Sequence, residues 1–217
     1  MNLFFDLDGT LTDPREGIVR SLQHALVTLG YSPPDAAGLE QFIGPPLAES
    51  FRVLLSTLDE AQIQAAVAAY RGRFSERGLF ENRLYPDVPS GLNSLQTAGH
   101  RLWVVTSKPE VYAQRIVAHF GLSCYFHQVY GSELSGERAN KAELIRYVLE
   151  QEKLSGHDVL MIGDRKHDIL GARANRMRAV GVAWGYGSLA ELASANPHAI
   201  VNSMAELIEY VRGTARP

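Results

Sequence analysis

Five short apolar runs, Asn2 to Phe5, Leu102 to Val105, Gln128 to Tyr130, Val159 to Ile162 and Ala179 to Val182, each lead into Gly, Ser, Thr or Asp and then into a helical pattern. Runs this short and this apolar read as strands buried on both faces, and their alternation with helices specifies a parallel sheet flanked by helices. Helical periodicity is present from Val88 to Ala98, Val111 to Phe120, Ala142 to Glu152, Asp168 to Asn175 and Met204 to Arg212. The expected fold class is α/β, a Rossmann-like, doubly wound parallel sheet.

One interval breaks the alternation. Between Thr12 and Pro86 no strand-like run occurs, and the helical stretches are Glu16 to Leu29, Leu47 to Ser56 and Glu60 to Arg77. That is too long for a single crossover, so an inserted helical subdomain is expected. Its joints fall near Asp13-Pro14 and Tyr85-Pro86-Asp87, where proline discourages helix in the residue before it. The chain thus divides into a core, residues 1–13 and 86–217, and a helical cap, residues 14–85. A cap hinged beside the first strand is expected over that strand's carboxyl end.

Composition excludes several classes. A hydrophobic share of 46% with 21% charged residues argues against disorder, and a net charge of −3 lacks the basic face that nucleic acid or an acidic membrane would require. Cys124 is the single cysteine, which rules out an internal disulfide and a cysteine metal cluster. No run approaches the roughly 20 apolar residues of a membrane helix, and the start of the chain lacks a signal-peptide pattern. The expectation is a cytoplasmic protein, monomer or weak homodimer, with no nucleic-acid or membrane partner. The tail, Gly213 to Pro217, is expected to fray.

In an open parallel sheet, ligands bind outside the carboxyl ends of the strands, so the polar residues there are the candidates for chemistry. After the first strand come Asp6 and Asp8; after the second, Thr106, Ser107 and Lys108; after the run ending at Ile162, Gly163, Asp164 and then Asp168; Lys141 opens a later helix. Asp6 and Asp8 leave the strand two residues apart and therefore on one side, so one can act as nucleophile and the other as proton donor. The alternative is a surface turn in which Asp8 and Thr10 bond nearby backbone. Likewise, Ser107 can be a helix N-cap before Pro109, Lys141 a solvated helix residue, and Asp164 to Asp168 a surface charge run. His24, His119 and His127 sit in apolar patterns and are expected to be packed or partly buried. Three carboxylates at one edge repel unless a cation lies between them, and hard oxygen donors favour Mg²⁺. Mg²⁺ with a lysine implies an anionic substrate and points to phosphoryl transfer.

The segments DLDGTLTD at 6–13, VVTSKP at 104–109, Lys141 and IGDRKHDILGA at 162–172 resemble, in order and spacing, the four motifs of the haloacid dehalogenase superfamily. Within it the chain looks like the phosphoglycolate phosphatase branch. The resemblance implies Asp6 as the phosphorylated nucleophile and Asp8 as general acid and base, also offering its carbonyl to Mg²⁺. It implies Thr106 and the Ser107 N–H as phosphate contacts, Lys141 as counter-charge, Asp164 as a metal ligand and Asp168 as its outer partner. Dehalogenases lack the equivalent of Asp8; phosphonoacetaldehyde hydrolases need a cap lysine, and this chain has none before Lys108; β-phosphoglucomutases carry a histidine where Ile18 stands.

The expected function is a Mg²⁺-dependent phosphatase for small phosphorylated metabolites, phosphoglycolate phosphatase-like. Two alternatives stay open, a 5'-nucleotidase and a binding or regulatory protein with little turnover. Phe42-Ile43-Gly44-Pro45-Pro46-Leu47 is the candidate specificity loop, with Gly44 and Pro45 nearest to substrate and Arg15 and Arg52 as anion contacts. A plain interhelical turn explains the same loop.

Overall fold

Alternate residues of a strand point to opposite faces, and in the central strands both sets are buried. Phe4, Trp103, Val105, Val159 and Met161 face one apolar cluster. Their neighbours Leu3, Phe5, Leu102, Val104, Leu160 and Ile162 are equally buried. A sheet covered on both faces needs apolar side chains at every position, which is why these strands read as unbroken runs. The computed structural model describes residues 1–214. Its main sheet has strands β1 (Asn2–Phe5), β2 (Arg101–Pro109), β3 (Gln128–Ser132), β4 (Val159–Gly163), β5 (Arg178–Val182) and β6 (Ala199–Val201). Their order is β3-β2-β1-β4-β5-β6, with every neighbouring pair parallel.

This order reverses direction between β1 and β4, and the crevice at such a switch point is where open α/β sheets bind ligands. Asp6 follows β1 directly, Asp164 follows β4 directly, and the Asp6 N–H continues the β1–β4 ladder by donating to the Ile162 carbonyl at 2.9 Å.

Two-residue strands at Thr12–Asp13 and Arg83–Leu84 fall in the interval expected to hold none, too short to show a period. The strands of the main sheet differ from the sequence expectation in two places. β6 was not anticipated, because three residues at the sheet edge are too few to display a period. β2 runs on to Pro109, with a register shift between Val105 and Pro109, and the next helix begins only at Glu110. Ser107 is therefore not an N-cap: its carbonyl accepts from the Ser132 hydroxyl at 2.9 Å, which holds the segment extended beside β3. Helices at Lys141–Glu152 and Lys166–Ala174 start slightly earlier than the periodicity placed them.

The chain forms two compact units, Met1–Asp13 with Leu84 onward, and Pro14–Arg83. The second is helical, with principal helices Arg15–Thr28, Leu47–Leu55 and Glu60–Arg73. Tyr70 in its interior meets Phe51 edge-on at 6.4 Å and stacks on Phe74 at 5.2 Å. Gly17 lets the first of these helices approach the backbone at Gly78, where a Cβ would lie 2.0 Å from the Gly78 carbonyl oxygen. In the same unit Gly44 has a φ of 108°, and Pro45 follows it into the bend before the helix Leu47–Leu55.

His24, His119 and His127 are exposed, contrary to expectation. His127 precedes β3: its N–H donates to the Leu102 carbonyl at 2.7 Å and its ring meets Trp103 edge-on at 5.4 Å, yet the side chain stays open to solvent. Gly213 and Thr214 close the helix Met204–Thr214, and the rest of the tail lies outside the described residues. No helix among the described residues is long and apolar enough to cross a membrane.

Trp103 is fully buried on β2, with its ring 5.6 Å from that of Phe4 on β1. Trp103→Ala would empty the largest side chain from the centre of the sheet. It is expected to lower stability by about 3–5 kcal/mol, read as a fall in the urea unfolding midpoint.

Candidate active site

The first loop is built around one carbonyl. Leu7 O accepts from the N–H groups of Thr10, Leu11 and Thr12 at 3.3, 2.9 and 3.0 Å, so the chain coils tightly after β1. Gly9 turns this coil with a φ of 79°, and a Cβ there would sit 2.1 Å from Asp164 Oδ2. Only glycine satisfies both conditions. The side chains do not serve a local turn: the Thr10 hydroxyl donates to Asp164 Oδ1 at 3.4 Å, and Asp8 Oδ2 accepts from Lys108 Nζ at 2.5 Å.

Lys141 occupies the first turn of its helix because the Asn140 side chain caps the N–H groups of Ala142 and Glu143 at 2.9 and 3.3 Å. From there its ammonium reaches Asp6 Oδ1 at 3.1 Å, Asp168 Oδ1 at 2.7 Å and the Val105 carbonyl at 3.1 Å. It is 6% exposed, so the solvated-helix reading fails. Asp168 is fixed from its other oxygen, which accepts from the Arg165 N–H at 3.1 Å and so caps the helix Lys166–Ala174. Asp164 and Asp168 are both buried, while Arg165 within the same charge run turns away to Glu191. Thr106 is buried at the end of β2's regular pairing, and its hydroxyl oxygen accepts from the Lys108 N–H at 3.3 Å.

One oxygen from each of Asp6, Asp164 and Asp168 lies within 4.8 Å of the others. Burial pushes the Asp164 carboxyl up to about 8, and the charges of Asp168 and Asp6 push the same way. Burial also raises Asp168, against the opposing pull of Lys141. Lys141 is raised in turn: burial disfavours its charge, but Asp168 and Asp6 outweigh that effect. Three carboxylates against one ammonium leave two formal negative charges (3 − 1) in a buried site. The donors are all hard oxygens, which fits a divalent cation of the Mg²⁺ type. Asp8 stands apart, against Lys108; burial raises its carboxyl, which favours the protonated form, and Lys108 is the largest opposing influence.

Two further features escaped the sequence reading, the partner of Lys108 and the segment after β5. Lys108 stood among the candidates, but its partner lies 100 positions away and no pattern reveals it. The segment Trp184-Gly185-Tyr186-Gly187 after β5 braces the first loop: Trp184 Nε1 donates to Thr10 O at 3.0 Å, the Tyr186 N–H donates to Asp164 Oδ2 at 2.8 Å, and the Tyr186 hydroxyl donates to Asp13. Its two aromatics, each followed by a glycine, were the available signal. In the helical unit, Arg15 pairs with Glu40 and Arg52 with Glu60, the latter at 3.1 Å, so both guanidinium groups already have carboxylate partners.

Residues 3–182 match the family model described as haloacid dehalogenase-like hydrolase. A 5'-nucleotidase of Pseudomonas aeruginosa is 51% identical over 196 residues, which span 90% of this chain and 88% of that protein. The tyrosine-protein kinase PtkA of Mycobacterium tuberculosis is 40% identical over 85% of this chain and 62% of its own length. A phosphoglycolate phosphatase of Vibrio parahaemolyticus is 28% identical over 97% of this chain and 96% of its own. Among solved structures, a predicted phosphatase from Clostridium acetobutylicum superposes with a TM-score of 0.92 at 40% identity, covering 98% of both chains.

The folded pKa of Asp164, about 8, lies above the ordinary carboxylate value of 3.8. In metal-free protein the folded state therefore binds this proton more tightly than the unfolded chain, and stability falls as pH rises between those values. A divalent cation held by these carboxylates would offset the loss. The gap in melting temperature between protein in Mg²⁺ and protein in EDTA is expected to widen from about pH 5 to about pH 8. A gap that stays constant or narrows would contradict the assignment.

Proposed function

Because the chain belongs to the haloacid dehalogenase-like hydrolase family, we propose that it is a phosphoric monoester hydrolase acting on small phosphorylated metabolites, with nucleoside 5'-monophosphates as the preferred class. The observation that carries this reading is the buried Lys141 ammonium joining Asp6 to Asp168 beside Asp164. A nucleophilic carboxylate, a fixed positive charge and a cation-ready acid set are what transfer of a phosphoryl group requires.

Asp6 attacks phosphorus, and the ester oxygen leaves as Asp8 gives it a proton. The product alcohol departs from an aspartyl phosphate. Water then attacks phosphorus, Asp8 takes its proton, and the Asp6 carboxylate is released with inorganic phosphate. Thr106 and the Ser107 N–H hold phosphate oxygens, and Lys141 offsets their charge through both halves. Asp6, Asp164 and the Asp8 carbonyl would hold Mg²⁺, with Asp168 outside them; when bound, the ion neutralises substrate charge.

The preference for nucleotides is supported by the 5'-nucleotidase relative, whose identity to this chain far exceeds that of the phosphoglycolate phosphatase. In the helical unit Gly44 and Pro45 form a stiff bend beside the buried Ile43, a shape suited to stacking a base. Arg15 and Arg52 are left out of the substrate set because Glu40 and Glu60 neutralise them.

The test is a Mg²⁺-containing substrate panel of nucleoside 5'-monophosphates, 2-phosphoglycolate and sugar phosphates. kcat/KM for the best nucleotide is expected to exceed that for phosphoglycolate by roughly tenfold or more. Asp6→Asn should reduce turnover of every member to background while leaving the fold intact. A preference for phosphoglycolate would replace the substrate assignment; wild-type inactivity on the whole panel would remove the enzyme reading.

A further inference from the structure

Lys108 is the one lysine of the site to which the reaction above gives no task. Its side chain is only 7% exposed, and its ammonium meets Asp8 Oδ2 at 2.5 Å. Asp8 Oδ1, in contrast, is buried with no hydrogen-bond partner among the described residues. A carboxylate with one oxygen gripped and the other buried and unpartnered has a defined direction, and an unsatisfied buried acceptor in a native site calls for an explanation.

The backbone that delivers Lys108 is fixed on several sides. Its N–H donates to the Thr106 hydroxyl oxygen at 3.3 Å, and the preceding carbonyl, of Ser107, accepts from Ser132 at 2.9 Å. The Lys108 carbonyl lies against Gly131, where a Cβ would approach it to 2.5 Å. Gly131 is held in turn by its N–H, which donates to Glu110 Oε2 at 3.2 Å. The register shift of β2 between Val105 and Pro109 falls on this same segment. These contacts hold the irregular end of β2 from which the Lys108 side chain reaches Asp8.

We propose that Lys108 is a positioning residue: its ammonium holds Asp8 by Oδ2 so that Oδ1 is presented to the departing ester oxygen. This deepens the phosphatase reading and rests on it. In the first half, the Oδ1–H bond breaks as the ester oxygen takes the proton and the electron pair of its bond to phosphorus, while a bond forms from Asp6 to phosphorus. In the second half, Oδ1 takes a proton from water as the water oxygen bonds to phosphorus and the Asp6 bond breaks. Lys108 keeps its own proton throughout and acts through Asp8.

A lysine that gripped phosphate directly would matter equally for every ester. One that orients the acid matters most when the leaving group needs protonation. The test compares kcat/KM in Mg²⁺ for p-nitrophenyl, phenyl and alkyl phosphates, because this ratio reports the step in which the alcohol departs. Lys108→Met is expected to lose little on p-nitrophenyl phosphate and on the order of 100-fold on alkyl phosphates, within the range of general acid catalysis. Asp8→Asn should show the same steepening, the double variant no further loss, and Lys108→Arg a partial return towards the wild-type slope. If Lys108→Met fails to melt cooperatively, Lys108→Gln, which keeps a neutral donor, is read on the same series. A uniform loss across the esters with raised KM, or no loss at all, overturns the proposal. Wild-type inactivity on every ester is a different outcome, since it defeats the phosphatase reading itself and the proposal with it.

Discussion

The gathering of half-buried Asp6 with the buried Asp164 and Asp168 around a single lysine is the constraint from which the rest of the site follows. Carboxylates out of water are unfavourable unless they are paired and hydrogen-bonded. Lys141 reaches two of the three, and the third, Asp164, takes the Thr10 hydroxyl and the Tyr186 N–H. Each of those partners belongs to a different loop. The charges therefore dictate that the loops after β1, β4 and β5 and the helix start at Lys141 converge on one point.

The crowding this produces explains the glycines. Gly9 and Gly185 face Asp164 so closely that a Cβ on Gly185 would fall 2.3 Å from both the Gly9 carbonyl oxygen and Asp164 Cβ. Small residues here leave the volume to the carboxylates and the cation they are suited to hold. The helical caps act in the same direction: Asn140 sets the turn that carries Lys141, and Asp168 caps its own helix with one oxygen while meeting Lys141 with the other. Local hydrogen bonds that stabilise helix ends thus also aim the reactive groups.

The alternation of strand and helix was legible because every central strand is buried on both faces and shows as an unbroken apolar run. Asp6, Asp8, Thr106 and Asp164 were legible as candidates because they stand where those runs end, and Lys141 and Asp168 because they stand in the first turns of helices that follow. β6 was not, since a three-residue edge strand carries no period. Nor was the extension of β2 to Pro109, because Thr-Ser-Lys-Pro suits a helix start as well as an irregular strand end, and only pairing with β3 decides between them. The histidines misled for a related reason: apolar neighbours in sequence do not place a residue inside when it lies on the outer side of its element.

The sequence by itself determined the order of elements and the chemical types at each strand end, because hydrophobic periods and turn residues are local properties. Which of those residues meet was decided by the tertiary structure. The strand order brings β1 beside β4, and with them Asp6 and Asp164. The irregular end of β2 carries Lys108 to Asp8, 100 positions distant, and the loop after β5 brings Tyr186 to Asp164. Such pairings depend on through-space distance and on the unfavourable burial of unpaired charge, neither of which has a period along the chain.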